Sequence, residues 1–127
     1  INGTMETTRN ECAATALRNQ FVMMGGQRFT GYHNAVDAYN VDLQKWVSFP
    51  KLTEKLFGCA AVTLRNQVIA LGGYRSHGAI NTVVALDMKA SKWNRLSPMK
   101  TARYYFAAAA LDDCIIAAGG FDRNNSR

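Results

Sequence analysis

The chain has 127 residues and a net charge of +6, and its basic residues do not cluster in one run. We interpret the charge as a solvated basic surface; it would also suit an acidic protein or a nucleic acid, but neither nucleic acid nor a membrane is expected as a partner. The most apolar stretch, residues 106–120, is interrupted by Asp112-Asp113 and is too short to cross a bilayer.

A Gly-Gly pair recurs at a fixed interval. The pairs are Gly25-Gly26, Gly72-Gly73 and Gly119-Gly120, each 47 positions after the last. Residues 11–57 overlay residues 58–104 without a gap, and a third copy starts near residue 103. A constant period of this size indicates an array of similar small units.

Each unit is predicted to form four short strands. In the first unit, runs 11–17 and 21–24 are apolar or β-branched, and the polar break Arg18-Asn19-Gln20 suits a hairpin turn. After the Gly-Gly pair come a polar loop, a third run at 36–41 and a fourth run built on Trp46. The later units repeat this order, with breaks at Arg65-Asn66-Gln67 and Asp112-Asp113, a third run at 83–88 and a fourth run on Trp93. No segment has the apolar spacing of a helix, so the pattern predicts an all-β fold of propeller blades.

The strand composition leads to three packing expectations. The Ala-rich first strands are expected to be packed on both faces where neighbouring blades crowd together. Trp46 and Trp93 are expected to fill the gap between blades at the wider rim. The second Gly of each pair is expected to allow a positive φ or a close backbone approach.

These residues resemble the kelch repeat. The second unit carries its pattern as Gly72-Gly73, Leu86-Asp87, Trp93, Pro98-Met99 and Arg103. The first has Gly25-Gly26, Tyr39-Asn40 and Trp46, with Leu52 and Leu56 in place of the Met and Arg. The resemblance implies an all-β, kelch-type β-propeller of about six or seven blades that acts as a protein-interaction domain.

The chain is expected to hold part of such a propeller. We assign residues 1–8 to the end of a preceding blade, 9–55 and 56–102 to complete four-stranded blades, and 103–127 to the first half of another. A fragment of a longer protein, or several copies that close a ring, would fit this division. Open blade edges would make self-association possible.

The three cysteines are expected to be free. Cys12 and Cys59 occupy equivalent positions on adjacent blades, too far apart for a disulfide, and Cys114 lies on a different strand. Free buried thiols favour a reducing compartment and a cytoplasmic location. The glycosylation-type triplets Asn2-Gly3-Thr4 and Asn124-Asn125-Ser126 point the other way.

The candidate partner-binding residues lie in the loops after the Gly-Gly pairs and in the inter-blade connections. By the kelch resemblance, these segments share the face with which the family binds its partners. The connections contribute Lys51, Glu54, Lys55, Arg103, Tyr104 and Tyr105. Arg28 and Arg75 recur at one offset, so each would grip a partner carboxylate or bond carbonyls of its own blade. The proposed binding residues are Arg28, Phe29, Tyr32, His33, Tyr74, Arg75, His77, Tyr104, Phe121 and Arg123.

No catalytic or metal-binding set is expected. The glycine-rich segment 25–31 lacks the Lys of a phosphate-binding loop, because Tyr32 stands there, and no helix follows. His33 and His77 lie at different offsets without ligand spacing. Asp112-Asp113 is interpreted as a turn. The chain is therefore expected not to be an enzyme and to need no cofactor.

The resemblance suggests a specific role. The largest class of kelch proteins are substrate receptors of cullin-RING ubiquitin ligases, whose adaptor-binding domain would lie outside this chain. An actin-binding, cytoskeletal role is an alternative within the same protein-binding class. A propeller enzyme acting on sugars is a further alternative, which requires Tyr, His or acidic residues converging at the axial mouth.

Overall fold

The structure, a computed structural model, describes residues 10–28 and 31–122, and for Arg28 the backbone alone. In this part of the chain, the regular structure consists of β-strands. None of the described elements is a helix long and apolar enough to cross a membrane. In chain order the strands are β1 (Ala13–Leu17), β2 (Gln20–Met24), β3 (Gln27–Arg28), β4 (Gly31–Tyr32), β5 (Val36–Asn40), β6 (Lys45–Phe49), β7 (Ala60–Leu64), β8 (Gln67–Leu71), β9 (Tyr74–Arg75), β10 (Gly78–Ala79), β11 (Val83–Asp87), β12 (Lys92–Arg95), β13 (Ala107–Leu111) and β14 (Cys114–Ala118).

Two four-stranded antiparallel sheets and a hairpin follow one another along the chain. The first sheet has the order β1-β2-β5-β6, the second has the equivalent order β7-β8-β11-β12, and β13 pairs with β14. The all-β prediction is confirmed. The hairpin turns are tighter than predicted, because Gln20 and Gln67 already pair in their strands with Leu17 and Leu64.

The segments after the first two Gly-Gly pairs are more ordered than the predicted polar loops. Each forms a small antiparallel hairpin, β3 with β4 and β9 with β10. Within the second hairpin, Gly78 pairs with Arg75 and Ala79 with Tyr74. The loops therefore present their side chains from short, defined strands.

The first strands of neighbouring units lie side by side. Thr63 on β7 donates its hydroxyl to the carbonyl of Ala16 on β1 at 2.7 Å. Since that proton is used, the hydroxyl of Thr15, 3.0 Å away, is the donor to Thr63. Two bonds of this kind require close approach of the two strands, which small Ala side chains permit.

The expectation that the first strands are packed on both faces is met in β7, where Ala61 packs against one buried cluster and Val62 belongs to the other. Burial along β7 alternates between buried and partly buried positions, whereas four consecutive residues are buried in β8 and in β11. The two middle strands are covered more completely than the first one. The reason is that β8 and β11 have a paired strand at each edge and a neighbouring unit against each face.

The hydrophobic core lies between consecutive units. One buried cluster joins Val22, Met24 and Leu52 of the first unit to Val84 and Trp93 of the second. A second cluster joins β8 and β11 to the third unit, including Phe106 and Ile115. Each sheet therefore buries its apolar surface against its neighbours, as in stacked repeats.

The two tryptophans behave differently. Trp93 is 7% exposed, and its Nε1 donates a hydrogen bond to the carbonyl of Pro50 in the preceding unit at 2.9 Å. It fills the gap between units as predicted. Trp46 is half-buried, and its buried Nε1 has no hydrogen-bond partner among the described residues.

The Gly-Gly pairs allow both features predicted for them. Gly26 has a φ of 99° and Gly73 a φ of 113°. A Cβ atom would lie 2.7 Å from the Asn10 carbonyl oxygen at Gly26, and 3.1 Å from that of Phe57 at Gly73. The pairs therefore bring the start of each unit against the end of its second strand.

Candidate partner-binding face

An isolated β-bridge marks the same place in all three units. It joins the residue that precedes the first strand to the residue that follows the Gly-Gly pair: Asn10 with Gln27, Phe57 with Tyr74, and Tyr104 with Phe121. The middle bridge is closed by Phe57 N–H to Tyr74 O at 3.1 Å and by Tyr74 N–H to Phe57 O at 2.8 Å. Inter-blade connections and loops therefore meet on one face, as the sequence predicted.

Aromatic rings gather at these bridges. Phe57 lies at the centre, with ring centroids of Tyr32 at 4.8 Å, Tyr74 at 5.3 Å and Tyr105 at 5.6 Å. Tyr104 extends the group, because its centroid lies 4.9 Å from that of Tyr74. Distances and tilted orientations of this kind are favourable for aromatic pairs. We call the group the aromatic cluster: Tyr32, Phe57, Tyr74, Tyr104, Tyr105 and Phe121.

The cluster is anchored in the hydrophobic core and reaches solvent. Phe57 is 9% exposed, whereas Tyr105 is 42% exposed. Tyr104 stacks on Phe121, with centroids 5.5 Å apart and planes 29° apart. A buried ring surrounded by partly exposed rings gives a rigid aromatic surface, the type of surface that anchors protein interfaces.

A backbone chain of hydrogen bonds runs beside the cluster. Gly58 N–H donates to the Glu11 carbonyl at 3.1 Å, and Tyr105 N–H donates to the Gly58 carbonyl at 2.8 Å. Glu11, Gly58 and Tyr105 are equivalent positions, and their φ values are 58°, 69° and 53°. One backbone conformation is therefore repeated in three units; we call it the rim position.

Tyr105 reaches across the middle unit to the first one. Its ring edge lies over Gly58, where a Cβ would be 3.1 Å from Cδ1, and its hydroxyl is hydrogen-bonded to the Glu11 carboxylate. Burial of the phenol, that hydrogen bond and the negative charge of Glu11 raise the pKa of Tyr105. The Gln27 side-chain amide also donates to the Glu11 carboxylate.

Arg75 already has a carboxylate partner in its own chain. Its Nη1 lies 2.5 Å from Oε1 of Glu54, which belongs to the preceding connection. The side chains are 47% and 26% exposed, so this ion pair lies at the edge of the face. The described partner of Arg75 is therefore a carboxylate of the preceding connection and not a carbonyl of its own blade.

The two histidines are separated. The backbone of His33 is part of the scaffold, because its N–H donates to the Gly26 carbonyl at 2.8 Å and its carbonyl accepts from Leu56 at 3.0 Å. His77 is exposed in the turn between β9 and β10. Among the described residues there is no group of three His, Cys, Asp or Glu side chains that could hold a metal ion.

The structure thus brings four of the proposed binding residues together in the aromatic cluster: Tyr32, Tyr74, Tyr104 and Phe121. Phe29, Arg123 and the side chain of Arg28 lie outside the described residues. Phe57 and Glu11 were not among the candidate residues, and Tyr105 was a candidate of the inter-blade connection that was left out of the proposed binding set. The 47-residue period offered a signal for Phe57, because this residue is equivalent to Tyr104.

Arg103 belongs to the scaffold, as its place in the repeat suggested. Its Nη1 donates to the Gly119 carbonyl at 3.1 Å, and its own carbonyl accepts from Gly73 N–H at 2.9 Å. Its guanidinium carbon lies 6.0 Å from the ring centroid of Phe106. It therefore fixes two Gly-Gly pairs and does not reach toward a partner.

The fold defines a class of protein: tandem four-stranded antiparallel units, packed face against face, are β-propeller blades. Residues 55–100 match the family model of the Kelch motif, and this segment contains the whole second sheet. The chain therefore contains a kelch repeat at residues 55–100. No curated protein matches it. Kelch repeats are in general interaction modules, and the match supports a protein-interaction role for this chain.

Proposed function

We propose that the chain binds a partner protein through the aromatic cluster and that it does so in the cytoplasm as the substrate-recognition part of a cullin-RING ubiquitin ligase. The single observation that carries the binding site is the cluster itself, six rings drawn from three units onto one face. The kelch resemblance supports the ligase role.

The physical case rests on preorganisation. Tyr74, Tyr104 and Phe121 are held by β-bridges of the backbone and by contacts between their rings, so little conformational freedom is lost when a partner covers them. Tyrosines combine a large apolar ring with a hydroxyl, which is why they dominate binding energies at protein interfaces. The partly exposed Tyr105 extends the same surface toward solvent.

Partner capture by the intact protein tests the binding site. Tyr105→Ala and Phe121→Ala are expected to lower capture at least about tenfold, as truncation of interface aromatics does. Leu43→Ala is the matched control, because Leu43 is an exposed apolar side chain in the β5–β6 turn, at the other end of the first sheet. Equal capture by all three variants would refute the proposed face.

The ligase role needs a second readout on the same samples. The intact protein and Tyr105→Ala are both expected to retain the cullin, and ubiquitin transfer to the partner is expected to fall only in the variant. A protein that binds its partner without a cullin would not be a ligase receptor. Co-sedimentation with actin filaments that depends on Phe121 would replace the ligase role with a cytoskeletal one.

A further inference from the structure

Glu11 is a carboxylate with uncharged partners. It is exposed at the rim position and accepts hydrogen bonds from the Gln27 amide and the Tyr105 hydroxyl. The ion pairs among the described residues join other groups, Arg65 with Asp113 and Arg75 with Glu54. Among the described residues, no cation is paired with Glu11, although the net charge of the chain is +6.

The surroundings of Glu11 favour a cation. Tyr105, 42% exposed, is hydrogen-bonded to the carboxylate through its hydroxyl, and the faces of aromatic rings carry negative potential. Phe57 and Tyr104 lie behind Tyr105 at centroid distances of 5.6 and 5.0 Å, so its ring is held in place. A carboxylate next to a fixed aromatic ring is suited to a guanidinium or ammonium group.

We propose that Glu11 and Tyr105 form a recognition site for a lysine or arginine side chain of the partner protein. The inference rests on the proposed function, since it assigns the partner's chemistry at one edge of the aromatic cluster. The cation would pair with the exposed Glu11 oxygens while it lies against the Tyr105 ring. The donors that hold the carboxylate, Gln27 and Tyr105, preset its position.

A negatively charged partner group is disfavoured beside Glu11 and Tyr105. Arg75, the described arginine proposed to grip a partner carboxylate, is engaged by Glu54 at 2.5 Å. Arg103 is engaged by the Gly119 carbonyl. An acidic segment placed on Tyr105 would meet Glu11 without a described cation to offset the repulsion.

The test uses three synthetic hexapeptides that alternate glycine with arginine, citrulline or glutamate. Citrulline keeps the shape of arginine and removes its charge, so no change in the protein is needed for the main comparison. Binding is followed by the backbone amide resonances of Gly58 and Tyr105 in the intact protein at about physiological salt, where surface charges are screened beyond roughly 8 Å.

The arginine peptide is expected to shift both resonances, and the citrulline peptide is expected to bind less tightly. Glu11→Gln is expected to weaken arginine binding about two- to fivefold, which is typical of an exposed ion pair. Asp42→Asn is the matched control, because it removes one exposed carboxylate in the β5–β6 turn and should leave the affinity unchanged.

Equal binding of the arginine and citrulline peptides, no binding of either, or a larger response to the glutamate peptide would overturn the cation site. An unchanged affinity in Glu11→Gln would do the same. Partner capture that still depends on Phe121 after such a result would leave the proposed function standing and remove only the assigned charge. If the arginine peptide does not bind and partner capture no longer depends on Phe121, the proposed binding face is refuted as well.

Discussion

The indole nitrogen of Trp93 lies 2.9 Å from the carbonyl oxygen of Pro50, so the outermost strand of one sheet is hydrogen-bonded to the chain that leaves the sheet before it. Trp93→Phe keeps most of the buried ring and removes the donor. We expect it to lower the unfolding free energy by about 1–3 kcal/mol in urea, because the Pro50 carbonyl loses its bond and part of the ring is lost.

Trp46→Phe is the control for that experiment. The Nε1 of Trp46 is buried without a partner among the described residues, so its removal breaks no described hydrogen bond. The smaller loss of stability is therefore expected for Trp46→Phe. A loss equal to that of Trp93→Phe would mean that the Pro50 bond contributes little.

The ion pair between Arg75 and Glu54 is expected to contribute modestly to stability. Its side chains are 47% and 26% exposed, and pairs of this type contribute about 0.2–1 kcal/mol. A double-mutant cycle with Arg75→Ala and Glu54→Gln should give a coupling energy in that range that decreases with added salt. The more exposed pair of Arg65 and Asp113, at 69% and 76%, should give a coupling closer to zero.

Glycine substitutions separate backbone strain from crowding. Gly73 and Gly78 have similar φ values of 113° and 128°, so alanine is strained at both. A Cβ at Gly73 would lie 3.1 Å from the Phe57 carbonyl oxygen, whereas at Gly78 nothing lies within 4 Å. Both variants should lose about 1–2 kcal/mol to strain, and Gly73→Ala should lose more. Equal losses measured by chemical unfolding would show that the close approach is relieved without cost.

Burial of Cys59 predicts a specific loss of stability in alkali. Burial raises the pKa of its thiol from 9.0 to about 12, so the folded state holds this proton more tightly than the unfolded chain does. The contribution is complete below pH 9 and is lost as the pH rises toward 12. At pH 10 the loss should reach about 1 kcal/mol.

Chemical unfolding of the intact protein and of Cys59→Ala across this pH range isolates the effect, because other titrating groups are common to both. The difference between the two unfolding free energies should decrease from pH 8 to pH 10. A constant difference between Cys59→Ala and the intact protein would contradict the prediction.

Repetition explains why the scaffold was predictable. Asn34 and Asn81 recur 47 positions apart, and each donates its side-chain amide to the backbone of the following connection, at Leu52 O (3.3 Å) and Met99 O (3.2 Å). Because both units make this hydrogen bond, both carry the asparagine that donates it. The four long strands of each unit and the Gly-Gly conformations followed from the same signal.

The candidate site was only partly predictable, because its contacts are not repeated. Glu54 pairs with Arg75, but the residue equivalent to Glu54 in the first unit is Thr7, so no recurring charge marked the pair. The aromatic cluster is not repeated either, because the bridge of the first unit joins two polar residues, Asn10 and Gln27, whereas the bridges of the later units join aromatic residues. Which side chains converge depends on contacts between units that a single unit does not encode.

The rim position has a consequence for how binding properties can change in such an array. Three successive units place a carboxylate, a hydrogen atom and a phenol on one backbone conformation, at Glu11, Gly58 and Tyr105. Two hydrogen bonds between main-chain atoms join the units there, from Gly58 to Glu11 and from Tyr105 to Gly58, and they do not require a particular side chain. A single substitution at the rim position can therefore change the chemical group that is presented there and leave the main-chain hydrogen bonds between the units in place.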